Sequence, residues 1–486
     1  MQKKFIENLF FLILINLLVK PFWIFGIDRA VQVNVGDLDY GFYFSLFNLS
    51  FIFQIILDFG ITSFNNRNIA QHHHMLRKFF SSIISFKIIL TAIYFFLLLG
   101  TGLIIGYSPE ALRILVFLGF NQVLASYILY LRSNISALQY FKLDGLFSVM
   151  DRIFMIILCG LALWGHVLGP VFRIEWFVYI QTVSYAITAL IAFITVYKKA
   201  GYFRFRFNKK FFIIIVKNTW PFAILSLLMS VYTRIDGVMI ERLLPGSTGK
   251  YQAGIYAQGY RILDAANMFA FLFATLLLPI FSRMLKHKEN VVDLVRTSYP
   301  LFFFPSFILV ASCFFYRAEI MELLYHQTSA YHYKIFGGLM INLLAIGSVY
   351  IFGTLLTANG NLKFLNLISL TGVILNIVLN LILIRKYQAF GAVISTLITQ
   401  FLMSFLQIIK AVSIFKIKTS WTYLMKSLLF ILLVPLMYYL LKNNINNWMI
   451  GIFVGAFISF LFILLLKLLK FRNLFNELKQ GRLPVD

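Results

Sequence analysis

Charge is scarce in this chain. Only 13% of its 486 residues are Asp, Glu, Lys or Arg, about half the share usual for a soluble globular domain, so a soluble fold is excluded first. Cysteine is nearly absent: there are two. Cys159 and Cys313 both fall inside apolar runs, so no disulfide framework is expected and both read as packing residues. Acidic residues are the rarer sign, 18 against 43 Lys and Arg, for a net charge of +25. No Gly-rich Lys-Ser/Thr phosphate loop occurs, which argues against direct use of ATP. What fills the chain is apolar. With 60% hydrophobic and 18% aromatic residues, its natural solvent is lipid.

Apolar runs of bilayer length recur from end to end, about 14 in all, and each is long enough to cross the hydrocarbon as a helix. The fold class expected is therefore an all-α polytopic membrane protein. The spans run from Phe5 to Phe25, Tyr40 to Ile61, Phe79 to Ile105, Leu112 to Leu131, Gly145 to Trp164, and Trp176 to Tyr197. They continue as Phe211 to Ile240, Ala253 to Phe281, Leu301 to Tyr316, Tyr333 to Ala358, Phe364 to Ile384, and Gly391 to Ile409. Tyr423 to Leu441 and Met449 to Leu469 complete the set. The first resembles a signal peptide, with Lys3 and Lys4 ahead of it, but no small-residue cleavage site follows and it reads as a retained helix.

The positive charge follows the membrane and not a nucleic acid. With the N-terminus inside, the inner connections and termini hold roughly 28 basic residues and the outer ones roughly 9, the positive-inside asymmetry. An even span count then puts both termini in the cytoplasm. The outer connections are short and lean acidic, with Asp28, Asp37 and Asp39 in the first. The longest inner connection, "YKKAGYFRFRFNKKFF", reads as a basic linker, with an amphipathic segment against anionic headgroups as the alternative. It separates six spans (residues 1–200) from six more (201–412), leaving two helices and a tail (413–486). Halves with even span numbers share an orientation, as parallel repeats do. An internal echo agrees: Gly41 and Tyr43 open the second span as Gly254 and Tyr256 open the eighth.

Polar residues inside spans carry the functional signal, because a charge at the centre of a membrane helix costs about 2.5–3.5 kcal/mol on insertion scales. Asn16 and Lys20 lie four apart, hence on one face, with Pro21 next. Lys87 and Arg152 sit about two turns in from the cytoplasmic side. Tyr260, Asp264, Asn267 and Phe271 form one stripe, with Arg261 a turn before Asp264. Arg234 and Asp236 are about 200° apart on a helix and face different ways. Across the "LLPGSTGK" turn, Asp236 is expected to pair with Arg261, while Arg234 reaches water or headgroups.

The segments "SYILYLRSNISALQYFKLDGLFSVMDRIFMIIL", "RIDGVMIERLLPGSTGKYQAGIYAQGYRILDAANMFAFLFATLLLPIFSRM" and "ANGNLKFLNLISLTGVILNIVLNLILI" resemble the Wzx-type oligosaccharide flippases, polysaccharide-biosynthesis members of the multidrug/oligosaccharidyl-lipid/polysaccharide exporter superfamily. Asp58 and Gly60 also match that family's Asp-x-Gly at the end of the second span. The resemblance covers about residues 1 to 410. It implies two six-helix lobes around a central cavity plus two C-terminal helices, alternating access, and no enzymatic activity. The implied cargo is an undecaprenyl-pyrophosphate-linked oligosaccharide carried to the periplasmic leaflet of a bacterial inner membrane, for a pathway's glycosyltransferases and polymerase.

Cationic cavity residues of the family hold the lipid-linked phosphate, and Lys20, Arg152, Arg234, Arg261 and Lys87 are the candidates here. Arg suits that task through bidentate contacts. The amides of Asn16, Asn267, Asn376 and Asn380 are candidate sugar contacts, with Asn376 and Asn380 equally readable as hydrogen-bond glue between helices. Asp58, Asp236 and Asp264 are candidates for a coupling proton or sodium ion, or for structural pairs. No metal site and no cofactor beyond such an ion are expected. Two other readings are weaker. A multidrug exporter of the same superfamily favours an acidic cavity. A polyprenyl-dependent glycosyltransferase or polymerase, using Asp37 and Asp39 for a metal, calls for larger outer loops than these. The "QHHHM" run, His72 to His74, reads as a solvated loop, since three consecutive His do not share a face.

Overall fold

A computed structural model describes residues 15–16, 18–62, 65–66, 69, 76–201, 209–325 and 328–469. Most of the first expected span, His72 to His74, the centre of the basic linker and the basic tail lie outside the described residues. The described residues are helical, with no strand among them. Twelve of their helices are long and apolar enough to cross a membrane, one for each expected span from the third to the fourteenth. The chain forms two compact units, Met1–Ala257 and Gln258–Asp486. The reading from sequence sets its lobe boundary earlier, at the basic linker.

The first unit begins with a π-helical turn, Phe22–Asp28, that runs into α1, Arg29–Ile52. The expected loop between the first two spans is therefore helical. Its one break is Gly36, at φ 78° and ψ 170° inside α1, a conformation that a side chain resists. Asp28, read as an outer-loop residue, is buried. The second span also differs, since α1 ends at Ile52 and the chain continues as a 3-10 turn, Gln54–Leu57, before Phe59 and Gly60 take positive φ.

Then follow α2 (Leu76–Ile104), α3 (Pro109–Ala137), α4 (Phe141–Leu163), α5 (Ile174–Ala200) and α6 (Lys209–Leu243). Local chemistry marks their ends. Ser108 accepts from the Ala111 amide with Pro109 at the first helical position, and Gly201 ends α5 in the left-handed region, as N-cap and C-cap rules require. α1 packs on α6, and α3 on α5. Phe80, Tyr130, Phe147 and the Phe86–Phe212 stack, 4.4 Å between centroids, fill the core between α2, α3, α4 and α6.

α7 (Gly246–Lys286) follows α6 after Leu244 and Pro245 alone, so the connection is tighter than the eight-residue turn expected. Its first turns belong to this unit and meet α1 at the repeat glycines. A Cβ on Gly41 would collide with Lys250 O and Gly254 N, and one on Gly254 with Asp37 O. The two glycines that echo each other in sequence are the points of backbone contact.

The second unit holds the rest of α7 and α8 (Val292–Phe315), α9 (Arg317–Leu324), α10 (Ala330–Ala358), α11 (Leu362–Tyr387), α12 (Ala389–Phe415), α13 (Trp421–Asn444) and α14 (Trp448–Leu465). α12 is gripped by α10 and α11, while α8 carries the C-terminal hairpin. That hairpin is held by Phe304, Phe430, Val434, Tyr438 and Ile463, and by a 2.7 Å hydrogen bond between Ser312 and Tyr438 hydroxyls.

Candidate functional site

In the first unit, the helical segment before α1 and the helices α3, α4 and α5 bring together cations that the sequence scatters over more than 130 residues. Lys20 lies within electrostatic reach of Arg152, Arg132 and Asp151. Arg152 is 29% exposed, and its guanidinium sits 5.3 Å from the Trp23 ring and 5.8 Å from the Tyr185 ring. One of its nitrogens donates to Met155 Sδ at 3.4 Å, and Asp151 lies 3.6 Å away. Aromatic faces and a thioether hold the guanidinium in place beside its ion pair with Asp151. Arg132 Nε donates to Asp144 Oδ1 at 2.8 Å across the turn between α3 and α4. Asn16 Nδ2 donates to Ser148 Oγ at 2.8 Å on the same α4. Three cations and two carboxylates stand together here, and the guanidinium donors have the chemistry that suits a phosphate.

Residues 5–285 match the family described as polysaccharide biosynthesis protein. The chain belongs to this family. Over 190 residues it is 30% identical to an uncharacterized membrane protein of Methanocaldococcus jannaschii, a stretch that is 38% of this chain and 42% of that one. Among solved structures, the lipid II flippase MurJ in an inward closed conformation aligns with a TM-score of 0.66 at 17% identity, over 95% of this chain and all of that one. An inward-facing multidrug-resistance MATE transporter of the MOP superfamily aligns at 0.62 and 13% identity, over 82% of this chain and 96% of that one. A MOP superfamily transporter of Pyrococcus furiosus, whose binding pocket is described as of reverse polarity, aligns at 0.52 and 15% identity, over 85% of this chain and 94% of that one. At such identities the likeness is one of fold. This polysaccharide-biosynthesis membrane protein therefore shares the architecture of flippases and exporters of that superfamily.

The other candidates separate into those near an open surface and those locked inside. Arg234 is half-buried, with its guanidinium 4.8 Å from the Phe51 ring, while Asp236, two residues on, is 1% exposed. Their opposite faces follow from an unbroken α6. The Asp236 carboxylate accepts from the Tyr256 hydroxyl at 2.8 Å, because the short turn levels it with the first turns of α7. In the second unit Arg261 Nη1 lies 4.0 Å from Asp264 Oδ2. One turn further along α7, Asn267 is half-buried and its Oδ1 has no hydrogen-bond partner among the described residues.

Lys87, a candidate phosphate-binding cation, is 1% exposed and donates to Leu57 O and Ser126 Oγ within the protein. Asp58 accompanies it, 4.0 Å away, and accepts from the Thr62 amide at 3.2 Å and from the Thr62 hydroxyl. Asn376 and Asn380, candidate sugar contacts, are both wholly buried in α11, where Asn380 Nδ2 donates to Asn376 Oδ1 at 3.1 Å within the helix. Asp37 and Asp39 sit two apart in helical α1, facing different ways.

Three features escaped the sequence reading. Arg132 and Asp144 are one, although an Arg and an Asp straddling a tight turn between spans is a legible signal. Asp28 is another: both its oxygens lie 3.0 Å from the Tyr40 hydroxyl, with Gln32 Nε2 at 3.5 Å, and nothing in the sequence separates it from a loop carboxylate. Trp23 beside Arg152 is the third, visible only once the π-helical turn is known.

Proposed function

We propose that this protein is a flippase that moves an undecaprenyl-pyrophosphate-linked oligosaccharide from the cytoplasmic to the periplasmic leaflet for surface polysaccharide assembly. The observation that carries the reading is the Lys20–Arg132–Arg152 group, three cations gathered with Asp144 and Asp151 in a polysaccharide-biosynthesis family member. A diphosphate joined to a long lipid needs fixed positive charge beside a lipid-accessible path, and these side chains supply it. Arg234 and Arg261 provide further cations along the path by alternating access, and Asn16 and Asn267 reach the sugars. Asp264 and Asp236 are the candidates for linking transport to a proton or sodium gradient. The protein works in the cytoplasmic membrane with both termini inside, receiving cargo from glycosyltransferases and delivering it to a polymerase.

The test is a leaflet assay in proteoliposomes holding the lipid-linked oligosaccharide, with Lys20, Arg132 and Arg152 each changed to Ala. Flipping falls at least about tenfold in each, the loss expected when a charge-assisted phosphate contact is removed. Undiminished flipping in all three sinks the cationic path. Efflux of organic cations with no movement of the lipid would favour an exporter instead.

A further inference from the structure

The network around Lys87 has a composition of its own. α1 stops at Ile52, continues as the 3-10 turn Gln54–Leu57, and leaves the helical path at Phe59 and Gly60, with φ of 45° and 78°. An interrupted helix leaves carbonyls at the negative end of its dipole without their intrahelical partners. Here the Leu57 carbonyl accepts from Lys87 Nζ at 2.7 Å and from Ser126 Oγ at 3.1 Å. Lys87 Nζ donates also to Ser126 Oγ at 2.7 Å and lies 4.0 Å from Asp58 Oδ1, with the Tyr127 ring centroid at 5.4 Å.

A main-chain carbonyl and a hydroxyl at 2.7 Å, with a carboxylate at 4.0 Å, at the broken end of a helix, resemble the oxygen donors that take a small cation in interrupted-helix transporters. In this chain the position is filled from α2 by a covalently attached ammonium. We propose that Lys87 is a tethered cation occupying a monovalent-cation site at the interrupted end of α1, so that the break carries its own counter-charge and needs no ion from solution. Lysine is the side chain that can do this. Its ammonium is a compact point charge with three donors on a flexible stem, whereas a planar guanidinium would not enter a set spaced for one small ion. Without a cation, the Asp58 carboxylate and the Leu57 carbonyl would face one another with no positive charge between them. The inference removes Asp58 from the groups that exchange an ion during transport and does not depend on the nature of the cargo.

The experiment uses the purified full chain in detergent, comparing wild type with Lys87→Ala, Lys87→Gln and the double variant Lys87→Ala/Asp58→Asn. Melting temperature is followed in choline chloride and on addition of about 100 mM sodium, potassium or methylammonium chloride, ions that stabilise only if they bind the folded state. The Ala variant melts lower than wild type in choline, and methylammonium or sodium raises it by about 3 °C or more; the Gln variant responds in the same direction and less. Wild type and the double variant shift by less than about 1 °C. A single Ala variant no more cation-responsive than wild type overturns the proposal, as does an equal response in the double variant. If neither single variant yields folded protein in any of these salts, no free cation can replace the tethered one and the site reading fails.

Discussion

The two compact units share one apolar composition and differ in what they do with polar atoms. In the first, buried amides such as Asn65 and Asn134 are joined by ionic groups: Lys87 and Asp236 are enclosed, while Arg132 and Asp144 are 21% and 12% exposed and Arg152 is stacked against aromatic rings. In the second, α10 to α12 enclose neutral amides and hydroxyls, with Asn342, Asn376, Asn380 and Thr399 wholly buried. The difference follows from cost. A charge removed from water needs a partner or a ligand, while an amide needs only hydrogen bonds and serves as contact between membrane helices. Ionic groups at an edge are suited to an exchangeable anion, and enclosed amides to a fixed packing arrangement.

The largest expected effect tests that division directly. Arg152→Ala should lower binding of a lipid-linked diphosphate, measured by equilibrium titration in nanodiscs, by at least about tenfold, the range for losing a charge-assisted hydrogen bond of about 1.5–3 kcal/mol. Its melting temperature should move little, because the side chain is partly exposed. Retained affinity in Arg152→Ala, with loss in a variant of the buried amides, would invert the comparison.

Next in size is a contrast between two glycine contacts. Gly254 in the first unit meets the backbone of Asp37, whereas Gly347 in the second receives the ring of Phe302. A backbone cannot step aside and a ring can turn, so Gly254→Ala should cost about 1–3 kcal/mol by overpacking and Gly347→Ala less. Thermal melts of the two variants decide it. Equal shifts would show that the α1–α7 crossing has slack that its geometry denies.

Tyr256→Phe comes third. It deprives the buried Asp236 carboxylate of a 2.8 Å hydrogen bond, worth about 1–3 kcal/mol when the acceptor is left under-satisfied. The expected signature is a lowered melting temperature with unchanged cargo affinity. A change in affinity alone would place Asp236 on the substrate path and bring ionic function to α6.

Much of this was legible in the sequence, and what was not has physical reasons. Span positions from Phe79 onward followed from hydropathy, because apolar length is the signal that the bilayer reads. The separation of Arg234 from Asp236 followed from helical rotation. The fate of Lys87 did not, since a lysine in a span reads the same whether its ammonium faces cargo or the broken end of α1. Asp28 was misplaced because periodicity cannot announce a helix that continues through a glycine break. Asn376 and Asn380 have two readings, because an amide in a span looks the same in sequence whether it faces cargo or protein.

The smallest prediction presses on that choice. Asn376→Ala removes the acceptor for Asn380 Nδ2, a 3.1 Å bond inside α11, and side-chain hydrogen bonds four residues apart on a helix are worth about 0.2–0.5 kcal/mol. Melting temperature should fall by no more than about 1–2 °C for a chain of this size. Flipping rate in proteoliposomes should stay within about twofold, because a change of that size in free energy corresponds to less than a factor of three. A tenfold slower rate at unchanged melting temperature would mean that the amides act during transport, in a state that opens α11 to the cargo. The neutral interior of the second unit would then be a working surface, and enclosure in one conformation would no longer distinguish glue from site.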